Sequence, residues 1–174
     1  MTCDPALAAY LAAHSGPLLC VDAIVRTADG RMLVLDPPYK PGWDLPGGMN
    51  EDELPVAGLM RELHEELGLR LSVGRLLAVD VTPPEVYGRT LLSWIYAVNL
   101  PAHVTSVDEL RLQADEIAGA ALLSDQDALE RFPPPLRRRV EAALAAERNG
   151  CIAALHDGFA PPAPRTHAPR QNHA

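Results

Sequence analysis

The sequence predicts an α/β domain built on a mixed sheet. Three observations carry this: apolar runs of strand length that alternate with helical patterns, Gly- and Pro-rich breaks between them, and a chain of 174 residues, which suits one domain with one sizeable core. Nearly half of the residues are apolar (48%), enough to close such a core. "LLCVDAIVR", Leu18 to Arg26, reads as a strand, "TADG" as a turn and "RMLVLD" as the antiparallel partner. Pro37, Pro38 and Pro41 then enforce a loop that leads to Trp43. Pro55 to Leu67 reads as a helix stopped by Gly68. Leu71 to Val81 and Thr90 to Leu100 read as two further strands around the loop "TPPEVYG", and "EIAGAALLS" as another. "DQDALERF" and "LRRRVEAALAAER" read as helices split by Pro133 to Pro135.

The ends differ in character. Residues 1–14 read as a short amphipathic helix rather than a secretion signal, because "MTCDPALAAYLAAHSG" carries an acid and no basic leader. From Phe159 the composition turns to "APPAPRTHAPRQNHA", too poor in apolar groups for a core and biased to extended conformers. The domain is therefore expected over 15–158, with extensions at 1–14 and 159–174. A net charge of −8 argues against a nucleic-acid polymer or an acidic membrane as partner, but leaves room for a small phosphorylated ligand if a cation mediates. Cys3, Cys20 and Cys151 are odd in number and widely spaced, which gives neither a disulfide framework nor a zinc pattern. No apolar run approaches spanning length, so the expected setting is the reduced cytoplasm.

The helix poses the chemical question. At about 100° per residue, Val56, Leu59, Met60, Leu63 and Leu67 form one stripe, expected to be buried. Glu62, Glu65 and Glu66 gather on the other side, with Gly58 among them leaving room for a ligand. Like charges at that spacing cost about 0.2–0.5 kcal/mol per pair. The last two turns favour cations by a further 0.3–1 kcal/mol or so. Arg61, four residues before Glu65, offsets only part of this. A divalent cation would remove the conflict, and clustered carboxylates suit Mg²⁺ or Mn²⁺ better than zinc. A solvated acidic face is the competing reading of the three glutamates taken alone.

The stretch "GGMNEDELPVAGLMRELHEELGL" resembles the Nudix box, G-x5-E-x7-R-E-U-x-E-E-x-G-U with U aliphatic, through Gly47, Glu53, Arg61, Glu62, Leu63, Glu65, Glu66, Gly68 and Leu69. The loop departs from the usual G-G-x-x-E-x-G-E by one missing residue, so the count runs from Gly47, and Leu54 stands where Thr or Ser ordinarily caps the helix. Asp52 and Glu51 are alternatives for part of the role of Glu53. The resemblance implies a Nudix-type α/β/α sandwich over roughly 15 to 155, with a loop-helix-loop site, and hydrolysis of a nucleoside diphosphate linked to another moiety.

On that resemblance, Glu62, Glu65, Glu66 and Glu53 are expected to hold Mg²⁺, for which Mn²⁺ may substitute, together with the Gly47 carbonyl. Arg61 should buttress the glutamates, and Gly47 and Gly48 should permit close substrate approach. Glu116, ahead of a later strand, is the candidate general base, with Asp115 beside it. Tyr87 and Arg89 are candidate substrate contacts, and Tyr39, Trp43 and Trp94 are further aromatic candidates for stacking or core. The run Arg137 to Arg139 reads as a solvated face. The leading substrate is a nucleoside or deoxynucleoside triphosphate, an oxidised one such as 8-oxo-dGTP included, cleaved to monophosphate and pyrophosphate. ADP-ribose or a nucleotide sugar, a prenyl diphosphate, and a non-catalytic nucleotide-binding module stay open, as does a homodimer.

Overall fold

The computed structural model of the chain describes residues 16–162 together with Asp4, Ala9, Tyr10 and Ala13. The helix expected over 1–14 lies almost wholly outside the described residues, as does the tail from 163 onward.

Among the described residues, seven strands form one mixed sheet. β1 (Leu18–Arg26), β2 (Met32–Asp36), β3 (Gly47–Met49), β4 (Val73–Thr82), β5 (Leu91–Asn99), β6 (Gly119–Leu123) and β7 (Ala153–His156) run in the spatial order β6-β2-β1-β5-β4-β7, with β3 pairing β1. β1 is the central strand. It pairs in parallel with β5 over its whole length, from Leu18↔Leu91 to Arg26↔Asn99. Its other edge is shared: β2 takes the C-terminal end at Val25↔Leu33, and β3 takes the other end at Cys20↔Met49, Val21↔Gly48 and Asp22↔Gly47. That shared edge brings the glycine loop onto the sheet.

Alternation along β1 feeds two cores. Val21, Ala23 and Val25 pack with Leu59, Leu63 and Leu67 of helix α1 (Pro55–Leu67). Ile24 joins Met32, Val34 and Ile95 under helices α3 (Asp125–Arg131) and α4 (Pro134–Asn149), through Ala128, Leu136, Val140 and Leu144. The architecture is the expected α/β/α sandwich. A single helical turn, α2 (Pro84–Tyr87), sits inside the segment expected as a plain loop, because Pro84 preorganises a first turn and Gly88 closes it at φ 72°.

Two strands escaped the sequence reading. β3 is a three-residue Gly-Gly-Met segment with no strand propensity, held by its register on β1. β7 is four residues laid parallel on β4, from Ala78↔Ala153 to Val81↔His156.

The predicted stripe of α1 needs correction. Its buried residues are Gly58, Leu59, Leu63, Glu66 and Leu67, whereas Val56 and Met60 are 42% and 43% exposed. Val56 belongs to the first turn and Met60 lies at the margin of the apolar arc, and contact with β1 and β3 turns the helix so that Glu66 goes inward instead. Leu54 precedes the helix with no side-chain cap, and Pro55 opens it, as expected.

Candidate functional site

The C-terminal half of α1 faces the glycine loop. Gly47 adopts φ 138°, a conformation closed to side-chain-bearing residues, and a Cβ there would lie 2.7 Å from the Asp22 Cα. Its amide donates to Glu66 Oε2 at 2.8 Å. Gly48 is equally constrained from the other direction, because a Cβ would fall 2.7 Å from the Glu62 carboxyl group. The absence of two β-carbons thus lets the carboxylates of Glu62 and Glu66 lie against the backbone of β3.

Arg61 organises the remaining acids. Its Nε and Nη2 donate to Glu53 Oε1 at 3.1 and 2.9 Å, its Nη1 to Glu62 Oε1 at 2.9 Å and Glu65 Oε2 at 3.0 Å, and Nη2 also to the Met49 carbonyl at 3.2 Å. The shortened loop therefore sets Glu53, rather than Glu51 or Asp52, beside the helix acids. Asn50 braces that loop, with Nδ2 donating to the carbonyls of Glu53 (2.8 Å) and Glu51 (3.2 Å). The room that Gly58 leaves is filled by the side chains of Asn50 and Glu53, not by space for a ligand.

Glu66 is the outlier electrostatically. It is 8% exposed, and Arg61 makes none of its described bonds to it. Burial, and then the charges of Glu62, Asp22 and Asp44, push its carboxyl up to about 8 against the single Gly47 amide that pulls it down. Glu62 is also raised, chiefly by burial, with Glu65 and Glu116 adding to it while Arg61 opposes. Glu53, bound by Arg61, is held below the usual range. Among the described residues no three acids, imidazoles or thiols stand ready grouped around one point, because Arg61 draws Glu62 and Glu65 to itself. A buried carboxyl facing other acids, with hard oxygen donors around it, nonetheless fits a divalent cation by its chemistry.

On the other side of β1 the sheet opens into a cavity of about 220 Å³, lined by Cys20, Asp22, Lys40, Trp43, Asp44, Tyr87, Ser93 and Arg139 among others. The Asp22–Gly47 pair joins this cavity to the glutamates, so both share one field. Asp22 is raised to about 7 by burial and Asp44, while Arg139 and Lys40 lower it. Lys40 is ion-paired with Asp44 at the cavity wall.

The candidates therefore divide. Glu53, Arg61, Glu62, Glu65, Glu66, Gly47 and Gly48 come together. Glu116 is exposed, accepts from Gln113 at 3.1 Å, and stands near enough for its charge to act on Glu62 and Tyr39. Tyr87 and Trp43 line the cavity, the latter stacked under Arg131 with its guanidinium carbon 5.1 Å from the ring centroid. Arg89 is placed elsewhere: it donates to the Gly16 carbonyl at 2.9 Å and lines a separate recess with Pro17 and Thr90. Trp94 packs in the α1-side core, 6.5 Å from Tyr96 between ring centroids. Arg137 is solvated as expected, but Arg139 is buried.

Sequence reasoning passed over Asp22, Lys40 and Asp44, and read Arg139 as solvated. One signal was available: Asp22 sits in the middle of an apolar strand, where a buried acid demands a partner or a purpose.

Comparison with known proteins bears on the fold and the family. The NUDIX domain family matches residues 16–143. A MutT-like protein of Streptomyces ambofaciens is 41% identical over 70 residues, a match that covers 38% of this chain and spans 46% of that relative. The solution structure of the E. coli ORF135 protein is 31% identical, with a TM-score of 0.55 over 74% of this chain and 91% of that one. The crystal structure of the MutT protein from Methanosarcina mazei Go1 has a TM-score of 0.61 over 79% of this chain and 98% of that one; its 21% identity speaks for the fold.

Proposed function

Since the chain belongs to the NUDIX domain family, we propose that it is a Mg²⁺- or Mn²⁺-dependent hydrolase of phosphoric anhydrides that converts a nucleoside triphosphate and water to the monophosphate and pyrophosphate. The observation that carries this reading is Glu66, a buried carboxyl crowded by Glu62, Asp22 and Asp44 with one amide for support. Such a group is stable as an anion only beside a cation, and Arg61 is occupied elsewhere.

Glu62, Glu65 and Glu66 would hold the cation, with Glu53 and the Gly47 carbonyl as additional donors. A divalent ion there supplies charge neutralisation of the diphosphate and acidifies a bound water. The chain does the rest. Arg61 keeps the carboxylates of Glu53, Glu62 and Glu65 gathered on one side of the helix, where they would be available to the ion. Gly47 and Gly48, expected to admit the substrate, instead let the carboxylates of Glu66 and Glu62 lie against the backbone of β3, where they would face the ion. Glu116, exposed and within electrostatic reach of Glu62, takes a proton from the attacking water.

The nucleoside would enter the cavity, where Asp22 and Asp44 offer acceptors to its N–H groups and Trp43 and Tyr87 offer ring faces. Arg89, tied to Gly16, has no part in this. The catalytic unit is the span 15–158, which contains every candidate group.

A panel in Mg²⁺ over dGTP, 8-oxo-dGTP, ADP-ribose, UDP-glucose and geranyl diphosphate, with the products separated and identified, tests the reading. Turnover highest on a triphosphate, with pyrophosphate as product, is expected. Highest turnover on ADP-ribose or UDP-glucose would move the substrate class, and binding without turnover of any would mark a non-catalytic module.

A further inference from the structure

Asp80 and Arg139 form a buried ion pair in the wall of the cavity. Asp80 on β4 has no exposed surface and Arg139 on α4 is 7% exposed. The Arg139 Nε donates to Asp80 Oδ2 at 2.7 Å, and its Nη2 to Thr82 Oγ1 at 3.3 Å. Asp80 and Thr82 are two apart on one strand and so present one face.

A third group comes from far along the chain. The amide of Gly158 donates to both Asp80 oxygens at 3.1 Å. It belongs to the turn after β7, beyond residue 143 where the family correspondence stops. That turn is tightly built. Asp157 and Gly158 are both left-handed, at φ 51° and 78°, and the Asp157 amide donates to the Val81 carbonyl at 3.1 Å. A Cβ on Gly158 would lie 3.0 Å from the Arg138 Cβ.

Buried ion pairs are weak contributors to stability compared with apolar groups of the same shape. This one has a different use available, because Arg139 lines the cavity next to Asp22 and Ser93. Its Nε and Nη2 are committed to β4, while Nη1 has no hydrogen-bond partner among the described residues. Lys40, the other cation of the cavity, is paired with Asp44. The fork of an arginine held on one edge presents the other edge in a fixed direction.

We propose that Arg139 binds a neutral oxygen acceptor on the nucleoside half of the substrate, and that Asp80 and the Gly158 amide are positioning groups that aim it. The C-terminal turn is then part of the specificity apparatus, although it lies outside the family-matched span. This rests on the hydrolase reading above.

The test is the double variant Asp80→Asn/Arg139→Gln, which keeps a hydrogen-bonded pair of similar shape without the guanidinium. It is assayed on whichever of dGTP, ADP-ribose and UDP-glucose the wild type turns over fastest, with inorganic triphosphate as a competitor that carries no organic half. KM should rise roughly tenfold to a hundredfold, the loss expected for a charge-assisted hydrogen bond. The inhibition constant of triphosphate should stay within about twofold, since the phosphate half is untouched. An unchanged KM in the folded variant overturns the proposal, and so does an equal weakening of nucleotide and triphosphate, which marks a purely structural pair.

If the double variant does not fold, Gly158→Ala provides the second reading. It keeps both side chains but displaces the turn, and KM should rise severalfold; no change in KM overturns the proposal. A wild type that hydrolyses none of the three substrates instead overturns the hydrolase reading. The same variants are then compared by equilibrium binding of the three nucleotides, where unchanged affinity overturns the role of Arg139.

Discussion

Gly58 sits in the interior of α1, where replacing glycine by alanine ordinarily stabilises a protein by about 1 kcal/mol. Here the sign should reverse. A Cβ at position 58 would fall inside the contact distance of Asn50 Oδ1 and 2.9 Å from Glu53 Oε1, so Asn50 must leave. Asn50 makes two side-chain bonds to the carbonyls of Glu51 and Glu53, each worth about 0.5–1.5 kcal/mol. Losing both costs roughly 1–3 kcal/mol against the gain of about 1, so Gly58→Ala should be destabilising by up to about 2 kcal/mol. In an Asn50→Ala background only the end of the Glu53 side chain, 2.9 Å away, must yield, and the same substitution should be neutral or stabilise by up to about 1 kcal/mol. Urea unfolding followed by tryptophan fluorescence on the four members of this cycle measures both signs. Stabilisation by Gly58→Ala in the wild-type background would refute the packing argument, and with it the bracing of the loop by Asn50.

Three further outcomes follow from the site. Glu66 is raised from 4.5 to about 8 and Asp22 from 3.8 to about 7, so between those limits the folded protein holds protons that the unfolded chain has released. Metal-free stability should therefore fall as pH rises across that window, and the thermal shift given by Mg²⁺ should be larger near pH 8 than near pH 6; an equal shift at both would dissociate Glu66 from the cation. Arg61→Lys replaces five hydrogen bonds with a point charge, and should slow hydrolysis by roughly tenfold or more while costing no more than about 1 kcal/mol in urea. Deleting residues 160–174 should leave the rate within a few fold, since every candidate group precedes them; loss of activity in a folded truncation would bring the tail into the site.

Much of this was legible in the residues because each signal was local. The helix from Pro55 to Leu67 announced itself by period, proline and glycine, and its conflicting charges raised the question that the proposed cation answers. β1 was read to its ends, since a nine-residue apolar run between breaks admits few alternatives. What stayed hidden was set by tertiary pairing. β3 is a strand only because β1 offers an edge, and β7 only because β4 does. Val56 and Met60 match the apolar stripe as well as Glu66 mismatches it, and only the contact of α1 with Gly47 decides which side turns inward. Arg139 looked like one of three solvated arginines because its partner, Asp80, lies 59 residues away in sequence. Asp22 and Asp80 shared the same clue, an acid within an apolar strand.

The central claim is that the acids of α1 hold a divalent cation against a diphosphate. Its most direct measurement is the rate of phosphoric-anhydride hydrolysis, read as nucleoside monophosphate formed, with Mg²⁺, with excess chelator, and in the Glu65→Gln and Glu66→Gln variants. Activity should vanish in chelator, return with added Mg²⁺ or Mn²⁺, and fall by at least about a hundredfold in each variant, the loss expected when a metal ligand is removed. Turnover that persists undiminished in chelator, or in both variants, would contradict the account.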